Sequence, residues 1–197
     1  MSSTTLYPVA DTYVDQNNPT VAADQSGSVA KLVVFANLGT GKYIHTWIRF
    51  DLSSIPAGST INSASLKMWM FYIESSNYSG GQIDVYDSAN ITWAETITWN
   101  TQPSTRTAIV RNTVGNPFGT EITFNVAAAV TAGLVSGGMS LRLNHVVEDL
   151  TSVQNEFRFQ DDDYTTGPPA NRYSKLVVDY TAPAGGSTTT MIGLMEF

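Results

Sequence analysis

The 197-residue chain contains no cysteine, so disulfides, thiolate metal sites and cysteine nucleophiles are all excluded. Charge is sparse as well. Only 14% of residues are Asp, Glu, Lys or Arg, and ten basic residues face seventeen acidic ones, for a formal net charge of −7. Phosphate backbones require clustered Lys and Arg, so nucleic acid is not an expected partner and an anionic bilayer surface is disfavoured. No apolar run reaches the roughly 20 residues that span a bilayer, and no membrane insertion is expected. The opening MSSTTLYPVADTYV lacks the basic and apolar regions of a secretory signal. An extracellular surface or a virion is the expected location, the latter because particles assembled inside a cell need no signal. What remains is 42% hydrophobic, enough to build one sizeable core held by packing alone.

The dominant pattern has a period of two, the signature of strands with one buried face. In Lys42 to Asp51, Ile44, Thr46, Ile48 and Phe50 share one face, opposite Tyr43, His45, Trp47, Arg49 and Asp51. In Ser65 to Tyr72, Leu66, Met68, Met70 and Tyr72 alternate with Ser65, Lys67, Trp69 and Phe71. The Ile55-Pro56-Ala57-Gly58 break between them predicts a pair of adjacent strands. Further strands are expected at Leu6–Val14, with Pro8 marking a sheet edge, and at Lys31–Phe35, Gln82–Tyr86, Thr107–Arg111, Glu121–Val126, Met139–Asn144, Asn155–Gln160 and Lys175–Tyr180. Asn125 is placed to cap a short helix over Val126–Val135, ended by Gly137-Gly138. Ile91 to Pro103 is too short and too rich in Thr and Trp for a helix, and reads as extended loop. The fold class is all-β: a β-sandwich or jelly roll of roughly ten short strands with one short helix and an extended C-terminal tail. Residues 1–182 form the domain, and 183–197 are a Gly/Ser/Thr linker followed by an apolar segment.

Several blocks together resemble DNRLRE-type domains, a jelly-roll family related to carbohydrate-binding modules. They are ADTYVDQNNPT (10–20), RFDLSSIPAGSTINSASLKMW (49–69), IDVYD (83–87), WAETITWNTQP (93–103), FNV (124–126) and KLVVDY (175–180). They occur in the family's order and span most of the domain. The resemblance implies a jelly roll and a non-catalytic binding or surface-building role, with no ligand specified.

The residues themselves point to no reaction. Glycoside hydrolysis needs two carboxylates held across one bond, and no spacing pairs any two of the acidic residues. Only His45 and His145 could serve a Ser-His-Asp arrangement, and no serine sits in a nucleophile elbow. No enzyme activity is expected. Trp47 and Trp69 are the candidate glycan-stacking rings, since sugars present apolar C–H faces, with Arg49, Lys67 and His45 as hydrogen-bonding neighbours. The competing reading packs these aromatics under a loop. Trp93, Glu95, Trp99, Asn100 and Gln102 are expected to anchor the long loop by burying rings and satisfying backbone groups. Asp11, Asp15, Asn17 and Asp24 are the candidate oxygen ligands for a structural calcium, with no cofactor required. Met191, Ile192, Leu194, Met195 and Phe197 make the tail apolar, which suits docking onto another protein subunit. Two function classes follow: a structural or adhesive subunit of a surface assembly or virion, of decoration, fibre or tail type, or a carbohydrate-binding module of a secreted or cell-surface protein. Polysaccharide is a partner under the second and compatible with the first.

Overall fold

The computed structural model describes residues 1–23, 31–37, 41–74, 81–106, 108–114, 119–146, 155–160 and 173–184. Eleven strands and one short helix follow in the order β1 Ser2–Leu6, β2 Ala10–Asp15, β3 Lys31–Asn37, β4 Lys42–Asp51, β5 Thr60–Glu74, β6 Gly81–Ser88, β7 Ala108–Val114, β8 Thr120–Asn125, α1 Ala127–Gly133, β9 Gly138–His145, β10 Asn155–Gln160 and β11 Lys175–Thr181. The strand pairings among the described residues are antiparallel and run β1-β11-β5-β10-β3-β4-β9-β6-β7, with β2 on β4 and β8 on β5.

Register shows how this continuous ladder becomes two layers. Leu66 lies between Leu176 of β11 and Phe124 of β8, whereas Met70 lies between Phe159 of β10 and Thr120 of β8. Strands β11 and β10 therefore follow one another along one edge of the long β5. In the same way β3 and β9 share an edge of β4, with β2 on the other. One layer is β1-β11-β5-β8 and the other β2-β4-β9-β6-β7, with β10 and β3 carrying the sheet between them. Ala64, Leu66, Met68, Met70, Phe124, Leu176 and Val178 from the first layer meet Ile48, Phe50, Ile83, Val85, Leu141 and Leu143 from the second in a single core. This is the all-β sandwich that alternation predicted. No helix among the described residues is long and apolar enough to cross a membrane.

Three local expectations are corrected. Strands β4 and β5 share no ladder; they belong to opposite layers. Leu52 and Ile55 are buried in the main core, so the connection that holds Pro56 arches across the end of the sandwich instead of turning a hairpin. The single strand expected over Leu6–Val14 is two strands. The break falls at Tyr7–Val9, around Pro8, and β1 and β2 then join different layers. The helix is Ala127–Gly133, shorter than Val126–Val135, with Val126 at the N-cap. Asn125 still receives a hydrogen bond from the Ala127 N–H (3.2 Å). At the other end a Cβ on Gly133 would lie 2.6 Å from the Gly138 carbonyl oxygen, so only glycine lets the helix approach β9 so closely. The tail residues Met191, Ile192, Leu194, Met195 and Phe197 lie outside the described residues.

Candidate functional site

The outer face of the layer β2-β4-β9-β6-β7 is where the sequence placed its candidate rings and where chemistry-bearing side chains gather. Cross-strand register sets them in rows. One row runs Thr12, Trp47, Arg142, Tyr86 and Ala108; another runs Ala10, Arg49, Ser140 and Ser88. Asn144, Asp84 and Arg111 stand side by side on the same face.

Residues 91–103 lie across the β2–β4 half of this face and bury it. Trp47, fully buried, packs with Ala10, Val14, Trp93 and Ile97, and Trp99 closes the edge of the cluster. The Trp47 and Trp93 rings meet edge-on at 6.1 Å. Each polar edge finds a partner. Trp93 Nε1 donates to Ser140 Oγ (2.7 Å), and Trp47 Nε1 donates to Gln102 Oε1 (3.2 Å). Gln102 also donates from Nε2 to the Trp99 carbonyl (3.0 Å). Glu95 Oε1 accepts from the Asp11 N–H (3.2 Å), and the Asn100 N–H donates to the Pro19 carbonyl (3.1 Å). His45 packs against Trp99, with ring centres 4.7 Å apart and planes tilted by 38°, and contacts Gln102 Oε1 at 3.4 Å. Burial is the main reason its pKa falls from 6.5 to about 3; the nearby Arg142 cation pushes the same way, and the Gln102 hydrogen bond opposes them. His45 is therefore neutral near pH 7. Arg49 donates from Nη1 to the Ile91 carbonyl (2.8 Å), with its guanidinium carbon 5.7 Å from the Trp93 ring centre.

This arrangement corrects the shelf expected from Trp47 and Trp69. Trp47 has no exposed face on which a sugar could stack. Trp69 is half-buried on the outer face of the opposite layer, in register with Glu121. Beside it Lys67 pairs with Glu121 at 3.0 Å, and Lys175 pairs with the same carboxylate at 2.9 Å. The two tryptophans thus look away from each other across the core. The calcium set does not assemble either. Asp11 and Asp15 share a strand four residues apart, about 13 Å in extended backbone, far beyond the reach of one ion at about 2.5 Å from each oxygen. Asp15 is occupied in a turn, accepting from Asn17 N (2.7 Å), Asn17 Nδ2 (3.0 Å) and Asn18 Nδ2 (2.8 Å). Asp24 lies outside the described residues, and among those described no three His, Cys, Asp or Glu converge.

In the β9–β6–β7 half of the face Tyr86, Arg142 and Asn144 are only partly buried, and sequence reasoning passed over them. Arg142 donates from Nε to Asn144 Oδ1 (3.2 Å), and its guanidinium carbon stands 4.8 Å from the Tyr86 ring centre. Burial pushes the Arg142 pKa down, against a smaller upward effect of Tyr86. Among the described residues, Arg106, Arg111 and Arg158 each hold a carboxylate, and Arg142 and Arg49 pair with no described carboxylate. Arg142 covers one face of Tyr86. The neighbour on the other side is Ala108, too small to cover the second. Next to it, Arg111 grips Asp84 through Nε (2.8 Å) and Nη2 (2.9 Å), a two-point pair that fixes the lower edge of the strip. The signal was present in the sequence: IDVYD and SLRLNH both alternate, placing Asp84, Tyr86, Arg142 and Asn144 outward.

Comparison with known families gives a match over residues 2–165 to the model of "Carbohydrate-binding module family 96". Among solved structures, the K1 cleaved adhesin domain of Lys-gingipain from Porphyromonas gingivalis W83 aligns at 12% identity. The alignment covers 93% of this chain and all of that one with a TM-score of 0.34, too low to carry an argument. No curated protein matches this sequence.

Proposed function

This chain belongs to carbohydrate-binding module family 96, and from that premise we propose that it is a non-catalytic module holding polysaccharide on the open strip formed by Tyr86, Arg142 and Asn144. The carrying observation is the Arg142 guanidinium: half-buried, without a carboxylate partner among the described residues, beside the partly exposed Tyr86. Desolvating a cation costs free energy that a paired anion recovers better than a neutral hydroxyl does. The Tyr86 ring offers a surface for the apolar C–H face of a pyranose, and Asn144 adds hydrogen-bonding capacity at its edge. The chemistry selects a polysaccharide carrying acidic groups. Because Arg111 and Asp84 cancel, the strip carries about one net positive charge within a chain of −7. Attraction is therefore local, within the roughly 8 Å over which charges act at physiological salt.

The finer likeness to DNRLRE-type domains fits this reading: all its blocks but the last, at 175–180, fall inside residues 2–165. An extracellular or cell-surface setting follows from a polysaccharide partner. The particle-subunit reading gains no support from the described residues over the binding-module reading.

Affinity electrophoresis against polygalacturonate, xylan and a neutral β-glucan tests the proposal. The expected result is retardation by the acidic polymer, weakened in both Arg142→Met and Tyr86→Ala. Undiminished retardation of both variants would place the binding surface elsewhere.

A further inference from the structure

We propose a second saccharide site at the end of the sandwich, where β4 runs out beside the start of β9, built to take the terminal sugars of a chain. The inference rests on the reading of the protein as a polysaccharide binder, but it involves different residues. Two grooves of about 300 Å³ and 240 Å³ lie there, separated by the contact of Ile91 with Gly138. The larger lobe is at the small end of the range for ligand sites and the smaller lies just below it, sizes suited to one sugar ring apiece.

The larger lobe is lined by Val9, Arg49, Asp51, Ile91 and Gly137 among others. Arg49 has one guanidinium nitrogen, Nη1, committed to the Ile91 carbonyl, and its Nε is buried with no hydrogen-bond partner. Nη2 is neither bonded to a described residue nor buried, leaving it as the donor aimed at a ligand. Asp51 stands two residues along on the same strand face, exposed, with Oδ1 accepting from the Ser53 N–H (2.8 Å). No ion pair joins it to Arg49. A donor and an acceptor on one strand face suit the hydroxyls of a pyranose, each of which both gives and takes a hydrogen bond. Val9, 52% exposed, and Ile91 supply apolar walls for its C–H faces. Gly137, at φ +71° with nothing near its Cβ position, leaves the mouth open. The smaller lobe repeats the chemistry with Asp87 and Arg106, here paired at 2.8 Å. A site at a strand end, walled by Ile91 and the α1–β9 connection and in the smaller lobe by α1 itself, suits a chain end, whereas the strip around Tyr86 can bind along a chain.

The test is amide-shift mapping of the isotopically labelled full chain titrated with digalacturonate, xylobiose and cellobiose. At least one disaccharide is expected to move the Ile91, Gly137 and Gly138 amides in a saturable way. Val9→Trp, which fills the larger lobe from an exposed position, should weaken that response at least tenfold, and so should Arg49→Lys, which keeps the charge but loses the fork. Arg142→Met should leave it unchanged. Shifts confined to Tyr86, Arg142 and Asn144 would overturn the groove while sustaining the strip. The absence of glycine shifts with every disaccharide would overturn it too, with the polymer assay deciding the strip separately.

Discussion

Replacing Arg142 by Met removes the charge and the fork while keeping an unbranched apolar stem over Tyr86. For stability the terms nearly cancel. The hydrogen bond to Asn144 is worth about 1 kcal/mol and the cation over Tyr86 about 0.5–1 kcal/mol. Against these, the variant no longer desolvates a guanidinium that has no carboxylate partner among the described residues, a penalty that burial of that group imposes. A net change within about 1 kcal/mol moves the melting temperature of a domain this size by about 2–4 °C. Binding behaves differently. A charge-assisted hydrogen bond to a ligand carboxylate contributes about 1.5–3 kcal/mol, so affinity for polygalacturonate should fall about 10- to 150-fold. Calorimetric titration beside a thermal melt separates the two. A loss of affinity under twofold would refute the strip as the anion-recognising surface. A melting temperature lowered by more than about 10 °C would show instead that Arg142 is a structural strut whose lost affinity reports unfolding.

Three further outcomes follow from the same geometry. His45, with its pKa held near 3 against 6.5 in the unfolded chain, binds fewer protons folded than unfolded between those values. Stability should therefore be constant above about pH 6.5 and decline by a few kcal/mol as pH falls towards 3, and His45→Gln should flatten that part of a chemical-denaturation series. A slope unchanged by the substitution would refute the buried, neutral assignment. Trp93→Ala should cost about 3–5 kcal/mol in urea unfolding, from the cavity left beside Trp47 together with a stranded Ser140 hydroxyl; a loss below about 1 kcal/mol would mean residues 91–103 hold without their anchor. Trp69→Ala, on the opposite layer, should leave polygalacturonate affinity within twofold, and a tenfold fall would return the binding surface to the β5 face.

The layers were legible because burial on one face imprints a period of two. Ile48 and Phe50, or Leu66, Met68 and Met70, declare their inward side without any knowledge of partners. Pairing was not legible. Alternation says which way a side chain faces, not which strand lies beside it, so β4 and β5 looked like neighbours when Leu52 and Ile55 carry the chain across the end of the core. The candidate site was misread for a related reason. Local pattern put His45, Trp47 and Arg49 correctly on the outer face, but an outer face is exposed only where nothing covers it. The cover comes from residues 91–103, some fifty positions later, through contacts such as Trp47 with Gln102. Arg142 and Tyr86 drew no attention because each is unremarkable alone. Their meaning comes from register, which sets them side by side and leaves only Ala108 beyond.

The segment 91–103 therefore determines which part of the outer face is buried. Spread over the whole outer face, it would leave no flat surface for a polymer; absent, it would leave Trp47 and Val14 to solvent and His45 free to protonate. It covers β2, β4 and the start of β9, where Trp93 bonds Ser140, and leaves Tyr86, Arg142 and Asn144 only partly buried, so one sheet face is divided into a second apolar core and a polar strip. The boundary runs between Trp47 and Arg142, which are register partners. Arg142 is half-buried because its neighbour belongs to that core, and its charge in turn helps to keep His45 neutral. The apolar cover and a cation that pairs with no described carboxylate are thus physically coupled: the packing that anchors the loop is also what desolvates the guanidinium. Loosening the loop, as with Trp93→Ala, should therefore rehydrate Arg142 and weaken its preference for acidic over neutral polymer, even at temperatures where the domain remains folded. An unaltered preference in that folded variant would sever the link between the second core and the strip.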